Sequence, residues 1–256
     1  DPMEALRDLA RAARARCAGR MIGVTGSVGK TGAKESLALA FGALGHTHAT
    51  QGNLNNEFGL PLMLARMPAD TEYAVLELGM NHAGEIGPLS RILRPHMALI
   101  TTVQPVHIEF FDGIDGIADA KAEIFEGLED GGTAVLPRDH ALFHHLRDRA
   151  LEQDVARIVS FGAHGDADVR LVDQQLLEDG SDVTATINGK TIAYHVGLAG
   201  QHQVMNSLGI AAVISEVADD RDQAIQALSQ VQPLKGRGRR SRVHLPGGGD
   251  FLVIDE

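Results

Sequence analysis

The sequence predicts an α/β fold: a mostly parallel sheet flanked by helices, with a small antiparallel β patch attached. Three observations predict it. Residues 22–31, Ile-Gly-Val-Thr-Gly-Ser-Val-Gly-Lys-Thr, carry a short apolar strand through glycines into a helical pattern. Short apolar runs then alternate with helix-period segments, which calls for parallel strands covered by helices. Between 168 and 197 the pattern turns to β-meander, with Asn188-Gly189 as a type I′ hairpin turn.

In order, residues 3–16 place Met3, Leu6, Leu9, Ala10 and Ala13 at helical spacing, a lead-in helix. Strands are expected at 20–25, 73–78, 97–102, 133–136 and 157–160, and helices at 30–44, 84–93, 116–128 and 139–152. After the hairpin come helices at 203–218 and 220–230, a basic Gly-containing loop at 235–240 and two closing strands around Gly247-Gly-Gly249. The division expected is a lead-in segment, 1–18, and one central domain, 19–256. The chain lacks an initiator Met and stops on the apolar run Phe251-Leu-Val-Ile-Asp-Glu256, so it is expected to be a fragment of a longer protein.

At 256 residues, with 44% hydrophobic and 22% charged residues, the chain can bury a large core. A formal net charge of −11 disfavours nonspecific nucleic-acid binding. Cys17 is the only cysteine, which excludes an intramolecular disulfide and a cysteine-based zinc site. No apolar run reaches the roughly 18–20 residues of a membrane span, and the acidic opening is not a signal peptide. A cytoplasmic monomer with no membrane insertion and small-molecule partners is expected.

Gly26-x-x-Gly29-Lys30-Thr31, between a strand and a helix, reads as a phosphate-binding loop. Backbone N–H groups of Thr25 to Gly29 and the helix N-terminus form an anion cradle, Lys30 reaches phosphates, and the Thr31 hydroxyl suits Mg²⁺. The loop is shortened: Val24 stands where the usual spacing has glycine. Ligands of open α/β sheets gather at the carboxyl ends of strands. Glu77, ending the run Tyr73-Ala-Val-Leu-Glu77, is therefore a second Mg²⁺ ligand or a Glu satisfied by a neighbouring loop. Asn81 and His82 follow at the same edge and touch a substrate or cap a helix. His107, beyond the next strand, is a metal ligand or structural. Lys121, between Asp119 and Glu123, reads first as a solvated lysine with helical charge partners. His202, Gln203 and Asn206 open a helix and bind a base or cap it, and Arg237 clamps a phosphate or is solvated. The amides of Gly52-Asn-Leu-Asn55-Asn56-Glu-Phe-Gly59 read a polar ligand or form Asx turns.

Taken in order, Thr25–Thr31, Gly52–Gly59, Glu77–Ile86, Thr102–Glu109, Ala120–Phe125, Gly200–Asn206 and Gly236–Arg239 resemble the central ATPase domain of the Mur ligases, the amide-forming enzymes of peptidoglycan synthesis. The sequence departs from the family at Gln203, usually Asn, and at Gly32, usually Thr. The resemblance implies ATP and Mg²⁺ as cofactors. Lys30 and Thr31 then hold phosphates and metal, Glu77 and His107 serve Mg²⁺, and His202, Asn206 and Arg237 contact nucleotide. Asn55, Asn56, Asn81 and His82 face the substrate. Lys121 matches a lysine that the family carbamylates to serve a second Mg²⁺. The branch it resembles most joins D-Ala-D-Ala to UDP-MurNAc-tripeptide through an acyl phosphate. The rivals are another Mur-type or folylpolyglutamate-type ligase and a non-enzymatic nucleotide-binding module. Because a closing domain completes the cleft in this family, the isolated fragment is expected to bind nucleotide without turnover.

Overall fold

The structure, a computed structural model, describes residues 1–106, 108–233, 239–245 and 247–255. A nine-stranded sheet runs in the order β2-β3-β1-β4-β5-β6-β7-β8-β9. Its strands are β1 Arg20–Thr25, β2 Thr47–Ala49, β3 Tyr73–Glu77, β4 Met97–Ile100, β5 Thr133–Pro137, β6 Arg157–Gly162, β7 Val169–Leu176, β8 Ser181–Ile187 and β9 Lys190–Val196. Pairing is parallel from β2 across to β7 and antiparallel for β7-β8-β9. The hairpin between β8 and β9 turns at Asn188 and Gly189, both at positive φ (51° and 76°), as a type I′ turn requires. A separate two-stranded sheet pairs β10 Arg239–His244 with β11 Asp250–Asp255.

Because side chains alternate along a strand, each buried strand feeds two cores. Ile22 and Val24 of β1 pack on one face with α2 (Lys30–Gly42), α7 (Gln201–Val217) and α8 (Arg221–Gln226). Met21 packs on the other with α1 (Pro2–Arg16), α3 (Gly59–Ala65), α4 (Ile86–Leu93), α5 (Ile114–Ala122) and α6 (Phe143–Glu152). β1 lies between β3 and β4, so the ends of three neighbouring strands, Thr25, Glu77 and Ile100, open at one edge.

The expected elements are present, the helix expected at 220–230 as α-helix over Arg221–Gln226 and 3₁₀ over Ala227–Gln230, and three further differences stand out. The short β2 and α3 have no counterpart in the sequence reading: three residues of β2 carry no periodicity. In α3 the interrupting Pro61 sits in the first turn, where a missing N–H costs nothing. The helix expected at 116–128 ends as an α-helix at Ala122 and tightens into a 3₁₀ turn over Glu123–Gly127. The chain there packs against α4 so closely that a Cβ on Gly127 would collide with the Ser90 carbonyl group.

The lead-in helix is part of the packed body. Ala10 is fully buried, and the Arg14 guanidinium donates to Leu93 O (2.8 Å), Arg94 O (2.9 Å), Cys17 O (3.3 Å) and Glu129 Oε1 (3.1 Å). The first two satisfy carbonyls at the end of α4 that the helix itself leaves open. Arg14→Ala would strand them, while Glu129 keeps its pairing with Arg94 (2.8 Å), and is expected to lower unfolding stability by about 2–3 kcal/mol, read from urea denaturation.

Candidate active site

The phosphate-loop candidate is pinned on both sides. At its start the fully buried Thr25 donates its hydroxyl to Leu78 O at 2.8 Å, tying the end of β1 to the residue after β3. Ser27 Oγ donates to Gln104 O (3.0 Å) and accepts from Gln104 N (2.8 Å), while Thr101 Oγ1 donates to Val28 O (2.7 Å). The loop is thereby fastened to the segment after β4. Thr25 thus acts through a strand tie, its hydroxyl turned away from the loop. Gly29 opens α2 at φ 87°, and a Cβ there would come within 2.7 Å of Asn206 Nδ2 on α7, so the site needs glycine twice over. Lys30 Nζ lies back over its own loop, donating to Gly26 O (2.6 Å) and Ser27 O (3.2 Å), with Thr31 beside it in the first turn.

Glu77 is 2% exposed. Its Oε1 accepts from Asn55 Nδ2 at 2.9 Å and its backbone N–H donates to Thr50 Oγ1 at 2.9 Å, whereas Oε2 is buried with no hydrogen-bond partner. A buried carboxylate oxygen left unpaired costs a desolvation penalty that a hard cation would offset, and carboxylate plus the Thr31 hydroxyl is a donor set that suits Mg²⁺. Among the described residues no three His, Cys, Asp or Glu side chains cluster as a metal cage. Sequence reasoning missed two supports. Thr50 holds the Glu77 backbone, and the fully buried Lys34 donates to Thr50 O at 2.7 Å while pairing with Glu35. His107 and Arg237 fall outside the described residues.

Lys121 is 3% exposed, which corrects the solvated-lysine reading. The flanking carboxylates are engaged elsewhere: Asp119 accepts from His145 (2.6 Å) and Arg149 (2.7 Å), and Glu123 accepts from backbone amides of the α4 end. Burial, and then the nearby charge of Lys30, push the Lys121 ammonium down to about 7 from its ordinary 10.5. A substantial fraction of this amine is therefore neutral near pH 7.

A cavity of about 700 Å³ adjoins the loop, a volume suited to a nucleoside. Gly29 and Asn206 lie at one side, His202 and Gln203 beside them, and Pro137, His140 and Phe161 form a wall beyond β5 and β6. The wall residues were not foreseen, although they obey the same strand-end rule that singled out Glu77. Gly32 also lines the cavity, and a Cβ there would meet nothing within 4 Å, so its missing side chain leaves open space.

The four substrate candidates separate. Asn55 is spent on Glu77, and Asn56 Oδ1 caps α3 by accepting from Phe58 N (3.2 Å) and Gly59 N (2.9 Å). Asn56 and Asn81 line a second cavity of about 240 Å³ with Gly79, Glu85 and Leu89. His82 is exposed, bonded through Nδ1 to Glu85 Oε1 at 2.9 Å, its ring 4.6 Å from that of Phe110.

The sequence profile of the Mur ligase middle domain matches residues 24–214. The chain belongs to the Mur ligase family. A Mur ligase of Rickettsia prowazekii, named UDP-N-acetylmuramoyl-tripeptide–D-alanyl-D-alanine ligase, is 34% identical over 92% of the chain and 53% of its own length. The crystal structure of the Mur ligase MurF from Acinetobacter baumannii superposes with a TM-score of 0.90 at 32% identity, over 100% of this chain and 54% of that one. MurF from Thermotoga maritima, solved in complex with ADP, gives 0.84 at 26% identity, over 100% and 57%. The chain thus spans about half the length of these Mur ligases.

Burying Lys121 sets the direction of a pH effect. The folded chain disfavours its protonated form, so between about 7 and 10.5 the unfolded chain binds more protons and stability rises with pH; below about 7 the full penalty stands. Lys121→Met is expected to be more stable than the parent at neutral pH, by on the order of 2 kcal/mol, with the gain shrinking as pH rises towards 10. Denaturation of both proteins across that range in carbonate-free buffer measures it.

Proposed function

We propose that this chain is the ATP-binding central domain of a cytoplasmic ligase that joins D-Ala-D-Ala to UDP-MurNAc-tripeptide. The observation that carries the reading is the buried, unpartnered Glu77 Oε2 at the end of β3, the strand paired with the one that feeds Gly29-Lys30-Thr31, an arrangement that supports a cation site next to a phosphate loop. The acceptor chemistry is drawn from the relatives' names.

A free carboxylate is a poor electrophile, so amide formation first needs it activated. The γ-phosphoryl group of ATP passes to the peptide's terminal carboxylate oxygen, leaving ADP and an acyl phosphate. The D-Ala-D-Ala amine attacks the acyl carbon, phosphate departs with the bonding electrons, and the amine proton is lost. Lys30 exchanges its loop carbonyls for phosphate oxygens and offsets their charge during transfer. Thr31 and Glu77 would hold Mg²⁺, which would supply further neutralisation of the transferring phosphoryl group's charge. Asn55 keeps Glu77 aligned. Neutral Lys121 can add CO₂ with loss of a proton, and the resulting carbamate is an anion able to serve a second Mg²⁺.

The test is ADP release by the full-length protein with UDP-MurNAc-tripeptide, with and without D-Ala-D-Ala, under Mg²⁺ and bicarbonate. Turnover that requires both substrates is expected, with Lys30→Met slowing it by on the order of a thousandfold. Lys121→Ala is expected to abolish turnover, with partial rescue by short carboxylic acids. Turnover with a different amine would move the acceptor to another ligase of the superfamily, and ATP binding with no amine turned over would leave a nucleotide-binding module.

A further inference from the structure

Glu123 lies two residues after Lys121, on a different side of the chain as the helix tightens into its 3₁₀ turn. Its carboxylate is fully engaged by backbone: Oε1 accepts from Gly84 N at 2.6 Å, and Oε2 accepts from Ile86 N and Gly87 N, both at 3.0 Å. Ile86 and Gly87 open α4, whose first N–H groups have no partner within the helix, so a carboxylate there is favoured by hydrogen bonding and by the helix dipole. Gly84 belongs to the loop in front of α4, the loop that carries Asn81 and His82.

Other bonds weld α4 to the same turn further along. Ser90 Oγ donates to Ile124 O, Arg91 pairs with Glu126, and Gly127 lies against the Ser90 backbone. Those contacts fix the helix. Of them all, only the bond from Gly84 to Glu123 reaches the loop. Within that loop Glu85 accepts from the Asn81 N–H at 2.8 Å and bonds His82, so placing Gly84 and Ile86 places the pair as well.

We propose that Glu123 is a positioning residue, which locks the Asn81–His82 loop to the Lys121-bearing segment so that the peptide substrate meets both in one register. The proposal rests on the ligase reading above, and deepens it by naming what aligns the acceptor side of the site. Nucleotide binding uses Gly29, Lys30 and Asn206 and is independent of this lock.

The test compares Glu123→Gln and Glu123→Asp with the parent in the full-length protein. Glu123→Gln turns an NH₂ towards backbone donors, and is expected to raise the KM for UDP-MurNAc-tripeptide about tenfold with the KM for ATP unchanged. Glu123→Asp keeps the charge and should recover part of the loss. Hydrogen exchange is read alongside: Gly84, Ile86 and Gly87 should lose protection in Glu123→Gln while the interior of α4 keeps it. Parent turnover with equal KM values in parent and Glu123→Gln, or a joint rise for ATP and peptide, would overturn the proposal. Unchanged exchange at the three amides would overturn it whatever the substrate proves to be. Failure of the parent to turn over that substrate pair would count against the ligase reading, with the exchange result still deciding whether Glu123 holds the loop.

Discussion

Charge buried at the carboxyl end of the sheet is the constraint on which the rest of this structure depends. Lys34, Glu77 and Lys121 are each at most 3% exposed, and none sits at a place where water can solvate it. An ion withdrawn from water must be paired, hydrogen-bonded or neutralised. Lys34 takes a backbone carbonyl and an acidic neighbour. Glu77 takes one amide and keeps one oxygen in reserve. Lys121 moves towards the neutral amine. The three responses differ, and under the proposed function the difference separates a support from two groups poised for chemistry.

The scaffold makes that burial possible. β1 is flanked by β3 and β4, so the loop after it is surrounded by strand ends, and the ties from Thr25, Ser27 and Thr101 hold it at two neighbours. Helices on both faces then close over the sheet from residues far apart in the chain. The candidate phosphate loop is thus tied to its neighbours by the chain's own hydrogen bonds, the kind of fixed geometry that catalysis by positioning asks for.

Much of this was legible in the sequence because it rests on local pattern. Gly-Lys-Thr after a strand, the apolar run ending in Glu77 and the Asn-Gly hairpin each carry their own physical signature within a few residues. What was not legible depends on tertiary partners. Nothing near Lys121 in sequence reveals that Asp119 turns to α6 and Glu123 to α4, so helical spacing pointed to ion pairs that do not form. Asn55 and Asn56 look alike in sequence, yet one holds a carboxylate and the other caps a helix. Thr50 and Lys34 gave no signal, since a hydroxyl and an amine in ordinary surroundings become specific only once β2 and β3 are paired.

The contact of Gly29 with Asn206 has a further consequence. The first lies at the start of α2 and the second on α7, so the cavity beside them has no counterpart in the unfolded chain. Under the proposed function, a nucleotide bound there would clamp together two helices that are neighbours in the fold and far apart in the chain. Every molecule bound shifts the unfolding equilibrium by mass action, by RT ln(1 + [L]/Kd). Under the proposed function, the midpoint of thermal unfolding would rise with nucleotide concentration and so report how full this cavity is.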